Sequence, residues 1–400
     1  MKILLVHNRY QFLGGEDEVY ERERELLRSK GHEIVEYFRD NREIANYSFV
    51  SSATLGFRTI WAWDSYRELK ELIKRAKPDV AHFHNTFPLI SPAGYSACTT
   101  NNVPVVQTLH NPRLLCPAAT LYRNGKVCQE CSGRTFAWPA VWHGCYQDSR
   151  VRSTAVSSML AIHRGLGTWM NKVHTYIAST EFYRQKFVGA GIPEEKISVK
   201  PHFVPNDPEC KDGDGEYALF VGRLAPEKGI ATLISAWRQI KSIPLYVRGD
   251  GPWSDAIAKV PNVFIKQVPR LDRAELFNLI KRARFLVWPS EGFYETFGLI
   301  AIEAFACGVP VIASRIGVMQ EIVRDGVTGL HFSPGDPDDL AAKVRWAWEH
   351  PNELQNMGRN ARAEYQREYT PDNNYQLLLK IYENAWRGVS ALTPNGRGCN

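Results

Sequence analysis

Two glutamates with seven residues between them, Glu295 and Glu303, stand in the run Pro289-Ser290-Glu291-Gly292-Phe293-Tyr294-Glu295-Thr296-Phe297-Gly298-Leu299-Ile300-Ala301-Ile302-Glu303-Ala304. Phe285 to Trp288 before it has the bounded apolar pattern of a buried strand. The residues from about Gly298 to Cys307 read as a helix, capped by Gly308 and stopped by Pro310. A helix that starts at Gly298-Leu299-Ile300 offers its unbonded first-turn amides to an anion. Carboxylates beside a phosphate repel it unless they are aimed elsewhere, so both glutamates are expected to accept hydrogen bonds from hydroxyls. Phosphate and hydroxyls on one ligand describe a nucleotide sugar. Either acid alone would read equally well as a loop or capping residue, and it is their surroundings that separate the two readings.

Such residues need a frame to hold them. The chain has 400 residues, more than the ~250–300 that one core accommodates, so two domains are expected. With 44% hydrophobic and 23% charged residues, the composition is that of a soluble globular protein, which excludes collagen, coiled coil and bulk disorder. The first half opens on a strand, Lys2 to Val6, then a loop containing Gly14-Gly15-Glu16. A helix from about Asp17 to Ser29 follows, ended by Gly31, and then a strand from His32 to Tyr37. Pro78 to His84 and Pro104 to His110 read as further buried parallel strands.

The pattern restarts near Glu216, with a strand Tyr217 to Gly222 and a helix Ile230 to Ile240. Further strands are expected at Pro244 to Arg248, Val263 to Lys266, Phe285 to Trp288 and Val309 to Ala313. The expected class is α/β, two Rossmann-like domains whose parallel sheets face across a central cleft. Residues 1–200 make the first domain, with a cysteine-containing insertion at 111–150, and 201–216 a turn-rich linker. Residues 217–370 make the second domain, and 371–400 a C-terminal helix that could pack back on the first. Open parallel sheets bind ligands beyond the carboxyl ends of their strands, so the loops after Val6, Leu109, Gly222 and Trp288 should line that cleft.

The stretch Pro289 to Pro310, with its Glu-x7-Glu spacing, Phe-Gly-Leu core and following Ala-Cys-Gly-Val-Pro, resembles the retaining family 4 glycosyltransferases of the GT-B fold. Phe220-Val221-Gly222-Arg223-Leu224-Ala225-Pro226-Glu227-Lys228-Gly229 resembles their second signature. Gly249-Asp250-Gly251-Pro252 and Gly326-Val327-Thr328-Gly329-Leu330 resemble two more. The likeness runs over nearly all of 1–390 and is most specific in 217–335.

The resemblance implies roles, residue by residue. Arg223 and Lys228 would contact the donor diphosphate, where two cations offset the charge growing on the leaving group. Glu303 would hold the ribose hydroxyls, Glu295 the transferred sugar, and the amides of Gly298 and Leu299 the phosphate. The base would lie against the segment around Val268. Gly14-Gly15 would be the family's flexible loop, with Gly15 close to phosphate or acceptor, although a plain tight turn has the same look. His110 would touch the donor sugar rather than act as a general base, and His84 is a weaker candidate for the cleft wall. Retention would follow a front-face displacement, with the leaving diphosphate helping to take the acceptor proton. The implied donor is a nucleoside-diphosphate sugar, a UDP-sugar such as UDP-glucose. The implied acceptor is a glycan or polyprenyl-diphosphate-linked glycan in the assembly of a bacterial-type polysaccharide.

No cofactor is expected for catalysis. Asp212-Gly213-Asp214 has the spacing of a metal-binding pair but lies in the glycine-rich linker, so Arg223, Lys228 and the helix terminus are expected to supply the charge instead. Cys116, Cys128, Cys131 and Cys145 follow C-x11-C-x2-C-x13-C in the insertion, a spacing that suits a structural zinc or four reduced thiols.

Eight cysteines, an opening apolar stretch too short for a secretory signal and no run long enough to span a bilayer point to a cytoplasmic protein. The 49 Lys and Arg outnumber the 43 Asp and Glu by +6, and residues 51–172 alone carry 14 against 6. With the aromatic stretch Phe57 to Trp63 and with Arg152, Arg164, Trp169 and Lys172, that imbalance allows peripheral contact with an anionic membrane at the inner face of the plasma membrane. Core packing of the tryptophans is the competing reading, and no nucleic-acid motif accompanies the charge. A nucleotide-sugar epimerase and a non-catalytic nucleotide-sugar-binding scaffold are the alternative functions. A dehydrogenase is disfavoured, because neither first strand leads into G-x-G-x-x-G.

Overall fold

Short β-branched strands, buried from both sides, assemble into two six-stranded sheets that are parallel throughout. The computed structural model describes residues 1–11, 14–46, 49–260 and 264–390. Val263 of the expected strand 263–266, and 391–400 of the expected C-terminal segment, lie outside the described residues.

The strands are β1 (Lys2–Arg9), β2 (Glu33–Asp40), β3 (Val80–Asn85), β4 (Val105–Thr108), β5 (Tyr122–Arg123), β6 (Lys126–Val127), β7 (Thr175–Ala178) and β8 (Ile197–Val199). Those of the second half are β9 (Tyr217–Val221), β10 (Leu245–Arg248), β11 (Ile265–Val268), β12 (Ala283–Trp288), β13 (Val311–Ser314) and β14 (Gly329–Phe332). The first sheet has the order β2-β1-β3-β4-β7-β8 and the second β11-β10-β9-β12-β13-β14, while β5 and β6 form a separate antiparallel hairpin. In each sheet the order reverses beside the first strand, between β1 and β3 and between β9 and β12. That reversal is where a parallel sheet opens a crevice for ligand.

The described residues divide into two compact units, those within 1–121, 129–200 and 375–390 in one, and those within 122–128 and 201–374 in the other. The turn-rich stretch 201–216 does not stand apart as a linker. It lies along the second unit, with the Lys211 amide on the Cys307 carbonyl and the Glu216 amide on the Arg282 carbonyl.

The helix Gly15–Ser29 begins with Glu16, Asp17 and Glu18, acids that suit the positive end of a helix dipole. It buries Val19, Tyr20, Leu26 and Leu27 on the first sheet and ends before Gly31, whose φ is +80°. Against the same sheet, beside Ile3, Leu5, Val80 and Val106, pack Leu378, Ile381, Tyr382 and Ala385 of the helix Pro371–Ser390. In the second unit, Trp237, Phe285, Val287 and Ile312 centre the core, and the Trp237 ring nitrogen donates to the Ile243 carbonyl at 3.0 Å.

The first strand is longer than its apolar run. The sequence ends it at Val6, yet pairing with β2 continues through Arg9↔Asp40. His7 and Asn8 stay buried because each has an internal partner, His7 on Asp17 at 2.8 Å and Asn8 on Asn41 at 2.8 Å.

Candidate active site

In the second unit, the two loops that leave β9 and β12 at the strand-order reversal come within atomic contact. Gly229 has φ +70°, and a Cβ there would stand 1.9 Å from the Pro289 carbonyl oxygen. Gly298 has φ +105°, and its Cβ would stand 2.0 Å from the Trp288 ring. Only glycine meets both demands, left-handed backbone and no side chain. These two approaches set Lys228, the last residue of the 3-10 turn Pro226–Lys228, beside the loop that carries Glu295.

The Lys228 ammonium lies 2.5 Å from Glu295 Oε1, with the two side chains 16% and 11% exposed. The same oxygen accepts from Ser290 Oγ at 2.7 Å and from Trp288 Nε1 at 3.2 Å. Burial pushes this carboxyl's pKa up, but the Lys228 charge and these donors outweigh it, so the pKa lies below the ordinary carboxylate range. Three donors on Oε1 leave Oε2 as the acceptor available to a hydroxyl.

Arg223 pairs with Glu227 and remains 52% exposed, so its guanidinium can turn toward an anion. Both cations lie over one ring, Arg223 at 5.5 Å and Lys228 at 5.2 Å from the centre of Tyr294. Gly298 caps the helix Leu299–Ala306, whose first amides belong to Leu299 and Ile300. Glu303, one turn further in, is 6% exposed and 3.9 Å from the Arg273 guanidinium. Val268 ends β11, half-buried, opposite Arg248 of β10. Arg223, Lys228, Glu295, Gly298, Leu299, Glu303 and Val268 thus share one unit, at or beyond the carboxyl ends of its strands or, for Glu303, inside the helix that follows.

Gly15 and His110 belong to the first unit. Gly15 is the exposed first residue of its helix, and the Gly14 amide before it donates to Asp17 Oδ2 at 2.9 Å. His110, half-buried beyond β4, has Nε2 3.0 Å from Nδ1 of His84. His84 itself is 2% exposed, so it lies inside the unit and forms no wall of a cleft.

One neighbouring group was not singled out from the sequence. The Glu16 carboxylate accepts from Asn85 at 3.1 Å and from Asn111 at 3.0 Å, and Arg113 reaches Tyr10 at 3.3 Å. Burial, with Asp17 adding to it against the opposing Asn111 bond, pushes the Glu16 pKa up to about 7. Its place directly after Gly15 was the available signal.

Cys116, Cys128, Cys131 and Cys145 are all half-buried. Cys128 belongs with the β5–β6 hairpin in the second unit. Cys116, Cys131 and Cys145 belong to the first unit. Among the described residues, Glu23, His82 and His84 bring three potential ligand atoms within 4.8 Å of one another.

The Lys228–Glu295 pair carries a pH signature. With its carboxyl pKa depressed, the pair contributes its full stability above the unfolded value of about 4.3 and loses it as pH falls through the lower folded value. In Lys228→Met the buried carboxyl has no cation to offset its burial, so its pKa rises and stability is lost as pH rises through that raised value. Urea unfolding of both proteins should converge near pH 4 and separate by about 3 kcal/mol near pH 8. Parallel pH profiles would contradict the pairing.

Residues 14–207 match the family model Glycosyltransferase Family 4, and residues 207–364 match Glycosyl transferases group 1. An uncharacterized glycosyltransferase of Methanocaldococcus jannaschii is 31% identical over 179 residues, 43% of this chain and 49% of that protein. The glycogen synthase of Mycobacterium tuberculosis is 36% identical over 189 residues, 44% of each chain. The match spans about half the length of these curated relatives or a little less.

Sucrose-phosphate synthase from Thermosynechococcus elongatus superposes with a TM-score of 0.71 at 18% identity, covering 97% of this chain and 99% of that one. Anabaena HepE, solved in complex with UDP, superposes with a TM-score of 0.65 at 17% identity, covering 96% and 100%. At such identities the likeness establishes the fold. A segment that matches the Glycosyltransferase Family 4 model is thus followed by one that matches Glycosyl transferases group 1, each built on a parallel six-stranded sheet.

Proposed function

We propose that this protein is a retaining glycosyltransferase that moves a hexose from a UDP-sugar such as UDP-glucose to a glycan or polyprenyl-diphosphate-linked glycan of a surface polysaccharide. The observation that carries this reading is the constellation of Lys228, Glu295 and Arg223 beside the first amides of the helix at Leu299. Two cations and a helix terminus suit a diphosphate whose charge grows as its bond to the sugar breaks. Glu295, with Oε1 saturated by donors, presents Oε2 to a sugar hydroxyl, and buried Glu303 suits the ribose. HepE was solved with UDP-glucose as well as UDP, which makes a uridine donor the first to test.

In the reaction the bond between the sugar's anomeric carbon and the diphosphate oxygen breaks. The acceptor oxygen bonds to that carbon on the same face, and its proton passes to the departing diphosphate. Arg223, Lys228 and the helix amides neutralise the leaving group, so no metal or other cofactor is part of this reading. An epimerase would need no acceptor and gains no support from the paired cations.

The acceptor side has a surface suited to an anionic bilayer. The helices Phe49–Ile60 and Trp138–His143 both pack on Arg150–Gly165. Phe57 is 77%, Trp142 66% and Val151 80% exposed on them, and Trp63 is 61% exposed just beyond Ile60. Arg150 lies 5.5 Å from the centre of the Trp142 ring, and Arg134 5.3 Å from that of Trp138. Aromatic rings with arginines over them sit well at a headgroup boundary. Trp169, 7% exposed, is core and takes no part. Among the described residues no helix is long and apolar enough to cross a membrane.

With UDP-glucose and a lipid-linked glycan, the product's anomeric proton should report the donor's own configuration, and turnover should persist in EDTA. Glu295→Ala or Lys228→Ala should lower turnover at least 100-fold, the loss expected for a transition-state contact. An inverted product, or full activity in either variant, would contradict the assignment. Vesicles containing anionic lipid should sediment the protein where neutral ones do not. Arg150→Gln with Arg152→Gln should weaken that binding about tenfold or more.

A further inference from the structure

The hairpin β5–β6 belongs to the second unit, although Leu121 before it and Gln129 beyond Cys128 belong to the first. Asn124 and Gly125 make its turn, with φ of +52° and +77°, the left-handed pair that a two-residue hairpin turn requires. Paired strands of two residues each are marginal alone, so this hairpin depends on what it packs against.

Its support is the loop that carries Glu295. Gly292 is buried there, and a Cβ on it would stand 2.7 Å from Cδ2, 3.4 Å from Cε2 and 3.5 Å from Cγ of Tyr122. One edge of the Tyr122 ring therefore occupies the place of a side chain at position 292. Gly292 has no left-handed φ, in contrast to Gly229 and Gly298, so what this glycine supplies is room for the ring.

The neighbours of this contact are groups of the candidate site. Burial pushes the Tyr122 phenol's pKa up, and the carboxylates of Glu291 and Glu227 push it further. Glu227 is the partner of Arg223. The Glu291 amide donates to the Glu227 carbonyl at 3.1 Å, and the Glu291 carboxylate accepts from the Thr232 hydroxyl. Ser290 in turn donates to Glu295. Residues 290, 291 and 295 are thus tied by hydrogen bonds, and Tyr122 meets the arc 292–294 between them. At the end of that arc stands Tyr294, with Arg223 and Lys228 over its ring.

We infer that Tyr122 is a positioning residue for the diphosphate site: pressed on Gly292, it fixes the arc that sets Tyr294 beneath Arg223 and Lys228. The use of those cations on a diphosphate rests on the proposed transfer reaction, while the contact itself does not. A loop held in place before a ligand arrives loses less freedom on binding, so the contact is read in affinity.

Titration calorimetry of the full chain with UDP, or with GDP or ADP if the native chain prefers one of them, tests this in a cycle of variants. Tyr122→Ala removes the ring, and Gly292→Ala drives a methyl group into it. Each should weaken nucleotide binding about tenfold, whereas the double variant should bind within about twofold of Tyr122→Ala, because the ring that the methyl would strike is gone. Tyr122→Phe keeps the ring edge and should recover affinity to within about threefold of native. If Gly292→Ala does not fold, the two Tyr122 variants decide the matter, since Tyr122 is half-buried and lies outside both six-stranded sheets.

A native affinity in Tyr122→Ala overturns the inference, whatever happens to its melting temperature, because a merely structural contact would move stability and leave Kd alone. Additive losses in the cycle overturn it too, as does a Tyr122→Phe that binds as weakly as Tyr122→Ala. A native chain that binds none of the three nucleotides sinks the proposed reaction and the inference with it. Native binding without coupling sinks the inference alone, so the two failures are distinguishable.

Discussion

Gly229 lies so close to the Pro289 carbonyl that any side chain would stand 1.9 Å from its oxygen, and this approach is what lets two loops from different strands share one site. Parallel pairing delivers both loops to the same edge of the sheet, and the reversal of strand order between β9 and β12 opens room between them. The glycine then removes the remaining distance, and Lys228 meets Glu295 at 2.5 Å. Every other element of the constellation follows from that meeting. Ser290 and Trp288 complete the shell of one carboxylate oxygen, and Tyr294 lies beneath both cations. Gly298, pressed against Trp288, fixes where the helix begins.

The two units hold charge differently. In the second, the ionic groups lie at strand ends, and Arg223 is half exposed, able to exchange Glu227 for an anionic ligand. In the first, Lys200, Glu23, His82 and His84 are sealed in, and the half-buried His110 ring stacks on His84. A buried charged pair of this kind is costly to form and stays ionised only while its partner is present. Glu16, its pKa raised to about 7 by burial, accepts hydrogen bonds from Asn85 and Asn111 in the same unit.

Much of this was legible in the residues, and the failures have physical reasons. The glycines at 229 and 298, the acids at 295 and 303 and the cations at 223 and 228 announce themselves because their spacing is local to a strand, a loop and a helix. The α/β class followed from bounded apolar runs alternating with helical ones. The end of β1 was misjudged because His7 and Asn8 are polar, and only partners at Asp17 and Asn41 make their burial affordable. β7 and β8 are strands of four and three residues, too short for a periodicity to show. The buried pair of Glu23 and Lys200 joins residues 177 positions apart, a pairing that no local pattern encodes. His84 could be singled out as a residue, while its burial could not.

The claim on which the rest turns is that the second unit binds a uridine diphosphate through protein cations. The most direct measurement is the melting temperature of the full chain with UDP, GDP, ADP and NAD, each with and without EDTA. A ligand that binds only the folded protein stabilises it by about 2.7 kcal/mol at a hundredfold excess over Kd, so the preferred base declares itself without any acceptor. A rise selective for UDP and indifferent to EDTA is the expected result. A rise with NAD alone, with none of the four, or with UDP only when metal is present would contradict it.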